Sequence, residues 1–112
     1  MKVDRSGSTL MFEQVAAEIR RAILDGEAKP GERLPPAKDL AAELGVNSNT
    51  VLRSLRLLRD EGLLEFRRGR GVTIAGTPER TAVVAKACEL IEVARQHGYR
   101  RDELLRIIES LP

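Results

Sequence analysis

Tryptophan is absent from this 112-residue chain, and aromatic residues make up only 3% of it. A hydrophobic core must then be assembled from Leu, Ile, Val and Ala, a composition that favours packed helices. Cysteine occurs once, at Cys88. That excludes an internal disulfide and suits a reducing cytosol, so a cytoplasmic location is expected. Histidine also occurs once, at His97, and the chain has no metal-ligand spacing, nucleophile elbow or phosphate-cradling glycine loop. No catalysis, metal or cofactor is expected, and the chain does not read as an enzyme. No apolar run approaches the roughly 18 residues of a membrane span, and the polar stretch Met1 to Thr9 has no signal-peptide core. What remains is enough for a fold: 42% of residues are hydrophobic, too many for a disordered chain.

Charge is nearly balanced at +2 but unevenly placed. Residues 1–76 hold 13 Lys/Arg against 11 Asp/Glu, while residues 77–112 hold 6 of each. Between residues 53 and 70, Arg53, Arg56, Arg59, Arg67, Arg68 and Arg70 stand against only Asp60, Glu61 and Glu65. A local basic stripe attracts a phosphate backbone. By itself it is equally a solvated charged face, so it has to be placed on structural elements.

Periodicity supplies them. Phe12, Val15, Ala16, Ile19, Ala22 and Ile23 recur at helical spacing and predict a helix from Leu10 to Leu24, with Ser8 or Thr9 as cap and Gly26 beyond its end. Lys29-Pro30-Gly31-Glu32 reads as a turn. A second helix runs from Pro36, at its first position, to Leu44 and stops at Gly45. After Gly45-Val46-Asn47, a third helix capped by Asn47 spans Ser48 to Glu61 and buries Val51, Ser54, Leu55 and Leu58. Two helices joined by so tight a turn form a helix-turn-helix. The period then changes to two. Leu64 and Phe66 alternate with charged residues, as Val72 and Ile74 alternate with Thr73 and Ala75, around Arg67-Arg68-Gly69-Arg70-Gly71. That is a β-hairpin, and directly after a third helix it is a wing. Thr77 as cap, Pro78 and Glu79 open a fourth helix that runs to about His97, and a fifth spans Arg101 to Ser110. The expected fold is mainly α with a small β-hairpin: a winged helix-turn-helix domain over residues 1–76, then a two-helix dimerisation tail over residues 77–112.

Placed on this frame, the basic residues acquire a chemistry. Advancing about 100° per residue from Val51, Leu55 and Leu58 fall beside it, Asn49, Arg53 and Arg56 opposite, and Thr50 and Leu52 on the flanks. Such an outward face near a helix N-terminus suits a major groove. Arg can pair with guanine and Asn with adenine, and an exposed Leu52 can touch a thymine methyl. Taken alone, the same face is that of an ordinary amphipathic helix. At the hairpin tip, Gly69 lets the backbone approach a groove while Arg68 and Arg70 reach phosphates or a narrow minor groove. Lys38, in the first turn of the second helix, can meet a phosphate beside that helix's free N–H groups.

The segments Glu27-Ala28-Lys29-Pro30-Gly31-Glu32-Arg33-Leu34-Pro35, Asp39-Leu40-Ala41, Gly45-Val46-Asn47, Asn49-Thr50-Val51, Glu61-Gly62-Leu63-Leu64 and Gly69-Arg70-Gly71, in that order, resemble the GntR family of bacterial transcription regulators over about residues 10–76. Val46-Asn47-Ser48-Asn49-Thr50-Val51 and the short tail look like its YtrA subfamily. That resemblance implies a regulator of double-stranded DNA without a large effector domain, dimerised by its tail and often repressing operons for ABC-type transporters. It places DNA contacts on Lys38, Asn47, Ser48, Asn49, Thr50, Leu52, Arg68, Gly69 and Arg70. Lys38, Ser48 and Leu52 stand where arginine is common in the family. The operator is therefore expected to differ, with Arg53 and Arg56 taking over part of the contact.

The tail holds Val83, Val84, Ala87, Leu90, Ile91 and Ala94, then Leu104, Leu105, Ile107, Ile108 and Leu111. Those are more apolar side chains than a two-helix hairpin can bury alone. A symmetric pairing would give a two-fold dimer matched to a palindrome; a hairpin closing the monomer core is the alternative. His97 reads as a favourable charge at a helix C-terminus, Cys88 as core filler and Tyr99 as a corner packing residue. An effector, if there is one, would sit between tails near His97 and Tyr99. A winged helix serving protein or RNA contacts, and a ligand-sensing regulator, are the competing readings.

Overall fold

The computed structural model describes residues 10–112, so the expected Ser8 and Thr9 caps lie outside the described residues. The elements follow in the order α1 (Met11–Leu24), α2 (Ala37–Leu44), α3 (Ser48–Asp60), β1 (Leu64–Arg67), β2 (Gly71–Ile74), α4 (Pro78–Gln96) and α5 (Arg101–Ser110). The chain divides into two compact units, one ending at Ala82 and one running from Val83 to Pro112.

In the first unit, α3 packs on α1 and α2 and is followed at once by the hairpin. The apolar stripe of each helix supplies the core: Val15, Ile19 and Ile23 from α1, Leu40 and Leu44 from α2, Val51, Leu55 and Leu58 from α3. Each fully buried side chain of this size contributes roughly 1.5–3 kcal/mol. Leu63, Leu64 and Ile74 carry that core under the hairpin. Gly45 ends α2 in the left-handed region, φ 69°, where a Cβ costs about 1 kcal/mol or more. Pro36 is the N-cap of α2 rather than its first helical residue. Its extended ψ of 150° holds it outside the helix while its carbonyl accepts from the Asp39 and Leu40 amides.

The hairpin is antiparallel, with Leu64 opposite Ile74 and Arg67 opposite Gly71. A third extended piece lies along β2, beyond the turn that Lys29-Pro30-Gly31-Glu32 predicts. Gly31 and Leu34 amides donate to the Ile74 and Val72 carbonyls, and Ile74 donates to Glu32. The wing is thereby tied to the connection between α1 and α2. Ser54, fully buried, donates its hydroxyl proton to the Phe12 carbonyl at 2.6 Å or the Thr50 carbonyl at 2.9 Å, joining α3 to the start of α1. Arg20 and Glu61 form a two-pronged ion pair between α1 and the end of α3. The Glu61 carbonyl accepts from the Arg80 guanidinium at 3.1 Å. The first turn of α4 thus packs with the winged domain.

That junction yields two expectations. Gly76 is buried, and a Cβ there would stand 2.7 Å from Leu63 Cδ2 and 3.0 Å from Thr81 Oγ1. Gly76→Ala is expected to destabilise the protein by about 1–2 kcal/mol through overpacking, read as a lower denaturation midpoint. Thr81 is fully buried and its hydroxyl has no hydrogen-bond partner among the described residues. Thr81→Val is expected to raise stability by about 1 kcal/mol in the same measurement, because it removes an unsatisfied polar group at near-constant shape.

In the second unit, the fifth helix opens with the Arg100 amide donating to Glu103 Oε1 at 2.8 Å, so that the Glu103 carboxylate caps the helix start from its third position. The Tyr99 amide closes the corner on the Ala94 carbonyl. The Tyr99 ring is half-exposed rather than packed, and Cys88 is half-buried. Leu104 is buried, whereas Val83, Leu90, Val93, Leu105, Ile107, Ile108 and Leu111 are exposed.

Candidate nucleic-acid interface

The third helix begins at a cap that fixes one expected contact residue. Asn47 Oδ1 accepts the Asn49 amide at 2.7 Å. The oxygen is committed to the helix, which leaves the Asn47 amide N–H groups as the donors facing outward. Ser48 and Asn49 in the first turn are exposed, and Thr50 is half-buried. Arg56 is exposed on the outer face. Arg53 is exposed too, but its guanidinium carbon lies 3.8 Å from the centroid of the Phe12 ring. This stacked contact holds Arg53 at the edge where α3 meets α1. Helical spacing alone groups Phe12 with the apolar stripe of α1 and gives Arg53 no partner.

Leu52, expected to be exposed, is half-buried. It faces a concavity of about 450 Å3 whose other walls include Arg33, Pro36, Phe66, Arg68 and Val72. The Phe66 ring is covered by Arg59, whose guanidinium carbon is 4.8 Å from the ring centroid. The wing therefore stands directly against α3, and Leu52 and Arg68 line one cleft. At the tip, the Arg70 amide donates to the Arg67 carbonyl at 3.0 Å. Nothing lies within 4 Å of where a Gly69 Cβ would be, so the tip projects freely. Gly71, at φ 74°, supplies the left-handed turn into β2.

Charge pairing separates the basic residues into two groups. Arg20, Arg21, Arg59 and Arg67 all hold carboxylates. Glu18, then Glu27 and Asp25, raise the pKa of Arg21 above its ordinary value. Lys38, Arg53, Arg56, Arg68 and Arg70 engage no carboxylate among the described residues. These unneutralised charges are on the outer face of α3, the first turn of α2 and the wing tip; Arg33, on the connection between α1 and α2, likewise engages no carboxylate among the described residues. Their field is available to a polyanion.

These parts make a winged helix-turn-helix, with five helices and one hairpin among the described residues. Residues 12–74 match the model of the gntR family of bacterial regulatory proteins. An HTH-type transcriptional regulator of Mycobacterium tuberculosis, Rv1152, is 33% identical over all of this chain and 93% of its own length. The HTH-type transcriptional repressor YtrA of Bacillus subtilis is 33% identical over 86% of this chain and 74% of its own. The solved structure of YtrA from Sulfolobus acidocaldarius, a GntR-family transcription factor, superposes with a TM-score of 0.64 at 30% identity, covering 97% of this chain and 93% of that one. The chain belongs to the GntR family of DNA-binding transcription regulators, within the YtrA subfamily. No helix among the described residues is long and apolar enough to cross a membrane.

Proposed function

We propose that this protein is a non-enzymatic, cytoplasmic repressor that binds a palindromic operator as a homodimer. The winged domain, to about residue 76, supplies the DNA contacts, and the tail over residues 77–112 the dimer. The observation that carries the DNA half is the cleft shared by Leu52 of α3 and Arg68 of the wing. It brings a groove-reading helix and a basic, glycine-tipped hairpin to one surface. Asn49, in the first turn of α3, and Arg56, about two turns further along the helix, face the bases, with Leu52 beside them. Lys38, Asn47, Ser48 and Thr50 hold the flanking phosphates. Arg53, leaning on Phe12, presents its guanidinium to the backbone rather than to a base. Arg68, Gly69 and Arg70 enter or straddle the minor groove. Repression is supported by the B. subtilis relative, which is named a repressor; a transporter operon is the target that the subfamily resemblance favours.

Selection of bound duplexes from a random pool tests this. An enriched inverted repeat, its half-sites about one helical turn apart or a multiple of it, is the expected result. A pool that yields no enriched sequence, or only a single unpaired half-site, refutes it.

A further inference from the structure

The cleft between α3 and the wing has a chemistry that duplex DNA does not use up. Its volume, about 450 Å3, lies in the range of small-molecule sites. Its floor and walls are apolar: Leu34, Leu52, Leu55, Phe66 and Val72 all line it. Its rim is cationic, formed by Arg33, Arg67 and Arg68. Arg67 shares Glu65 at 3.2 Å, whereas Arg33 and Arg68 engage no carboxylate among the described residues. Arg33 is seated by a missing side chain: a Cβ on Gly71 would stand 3.2 Å from its Nε. The uncapped start of α2 adds to the same wall, since Pro36 and Ala37 line the cleft and no side chain caps that helix.

We infer that this cleft binds a small anionic amphiphile, a carboxylate with an aliphatic or aryl body, with its acid on Arg33 and Arg68 and its body against Leu52, Phe66 and Val72. A neutral apolar molecule leaves two guanidiniums without a counter-charge. A phosphate or sugar phosphate leaves the apolar walls wet. Only a ligand with both halves answers both features. Occupancy neutralises Arg68 and fills the space beside Leu52, so the ligand competes with DNA at its own surface. Ligand binding stands independently of the proposed function, and the competition rests on it.

The full chain is titrated by NMR with octanoate, 1-octanol and octylammonium, each below its micelle concentration, without DNA. Octanoate is expected to give saturable shifts at Leu52, Phe66 and Val72, with a Kd of about 1 mM or tighter. Octanol binds at least about fivefold more weakly, octylammonium gives no saturable shifts, and Arg33→Gln weakens octanoate about fivefold while melting like the parent. Equal binding of octanol and octanoate, shifts confined to tail residues such as Leu105 and Ile108, or an unaffected Arg33→Gln variant would each overturn the site. A separate anisotropy competition on the selected operator reads DNA release by octanoate. Cleft shifts without release overturn the competition alone, and a protein that binds no DNA still leaves the cleft to be decided by the titration.

Discussion

Replacing Arg68 and Arg70 together by alanine is expected to weaken binding to duplex DNA by about thirtyfold to a hundredfold per protomer and to flatten its salt dependence. Each arginine that holds a phosphate or a groove edge through charge-assisted hydrogen bonds contributes about 1–1.5 kcal/mol. Two such losses, at 1.4 kcal/mol per factor of ten, give that range. The salt slope carries the more specific signature. Each phosphate neutralised contributes about 0.9 to the slope of log K against log salt, so two contacts removed per protomer reduce it by about 1.8. Fluorescence anisotropy at several salt concentrations reads both. The fold should not change: both side chains are exposed and neither holds a carboxylate among the described residues, so the melting temperature stays within about a degree or two. A variant that binds more weakly with an unchanged slope would mean the wing acts through shape and not through charge. A variant that binds as well as the parent would remove the wing from the interface. Lys86→Ala is the control, since Lys86 lies in α4 and already shares Glu89.

The elements that were legible in the sequence are those set by local chemistry. Asn47 before Ser48, Thr77 before Pro78, and glycines after Leu44 and Asp25 mark helix ends because a side-chain oxygen or a left-handed residue acts within a few positions of itself. The change from helical spacing to alternation at Leu64 placed the hairpin for the same reason. What stayed hidden depends on partners far along the chain. Glu32 to Leu34 sits just before two prolines and alternates too briefly to read as a strand, yet its amides and carbonyls complete the edge of β2. The Arg20–Glu61 pair and the Ser54 bond to Phe12 join positions 41 and 42 residues apart. A helical wheel shows the face on which Arg53 lies, but not that Phe12 lies beneath its guanidinium. For the same reason Leu52 reads as exposed on the wheel of α3 alone and is half-covered once the wing closes on it. Residue types at the candidate interface were legible, as was the capping role of Asn47; the anchoring of Arg53 and the covering of Leu52 required three dimensions.

The tail argues for the second large effect. In α5, Leu105 is 51% exposed and Ile108 46%, and in α4 Val83 is 70% exposed. Leu105 and Ile108 are three residues apart and share one side of α5. Such a face left in water is unfavourable by about 25 cal/mol per Å2, and covering it with the same face of a second copy removes that cost in both chains at once. Leu105→Glu with Ile108→Glu is expected to raise the dimer dissociation constant by at least about a hundredfold, because charges taken into an apolar interface without partners each cost several kcal/mol. Both side chains already lie in water in the single chain, so the helix itself should persist. Sedimentation then reads a folded monomer. DNA binding separates the two roles of the protein. On a full palindrome the variant is expected to lose at least a hundredfold in affinity, since the second winged domain is no longer held near the DNA at an effective concentration of about a millimolar. On an isolated half-site it binds as the parent's single domain does, because the surface of α3 and the wing tip is untouched. A double variant that remains dimeric would move the interface away from the tail. A clean monomer that still holds the palindrome as tightly as the parent would mean that the two half-sites are read independently and that tail pairing serves some other end.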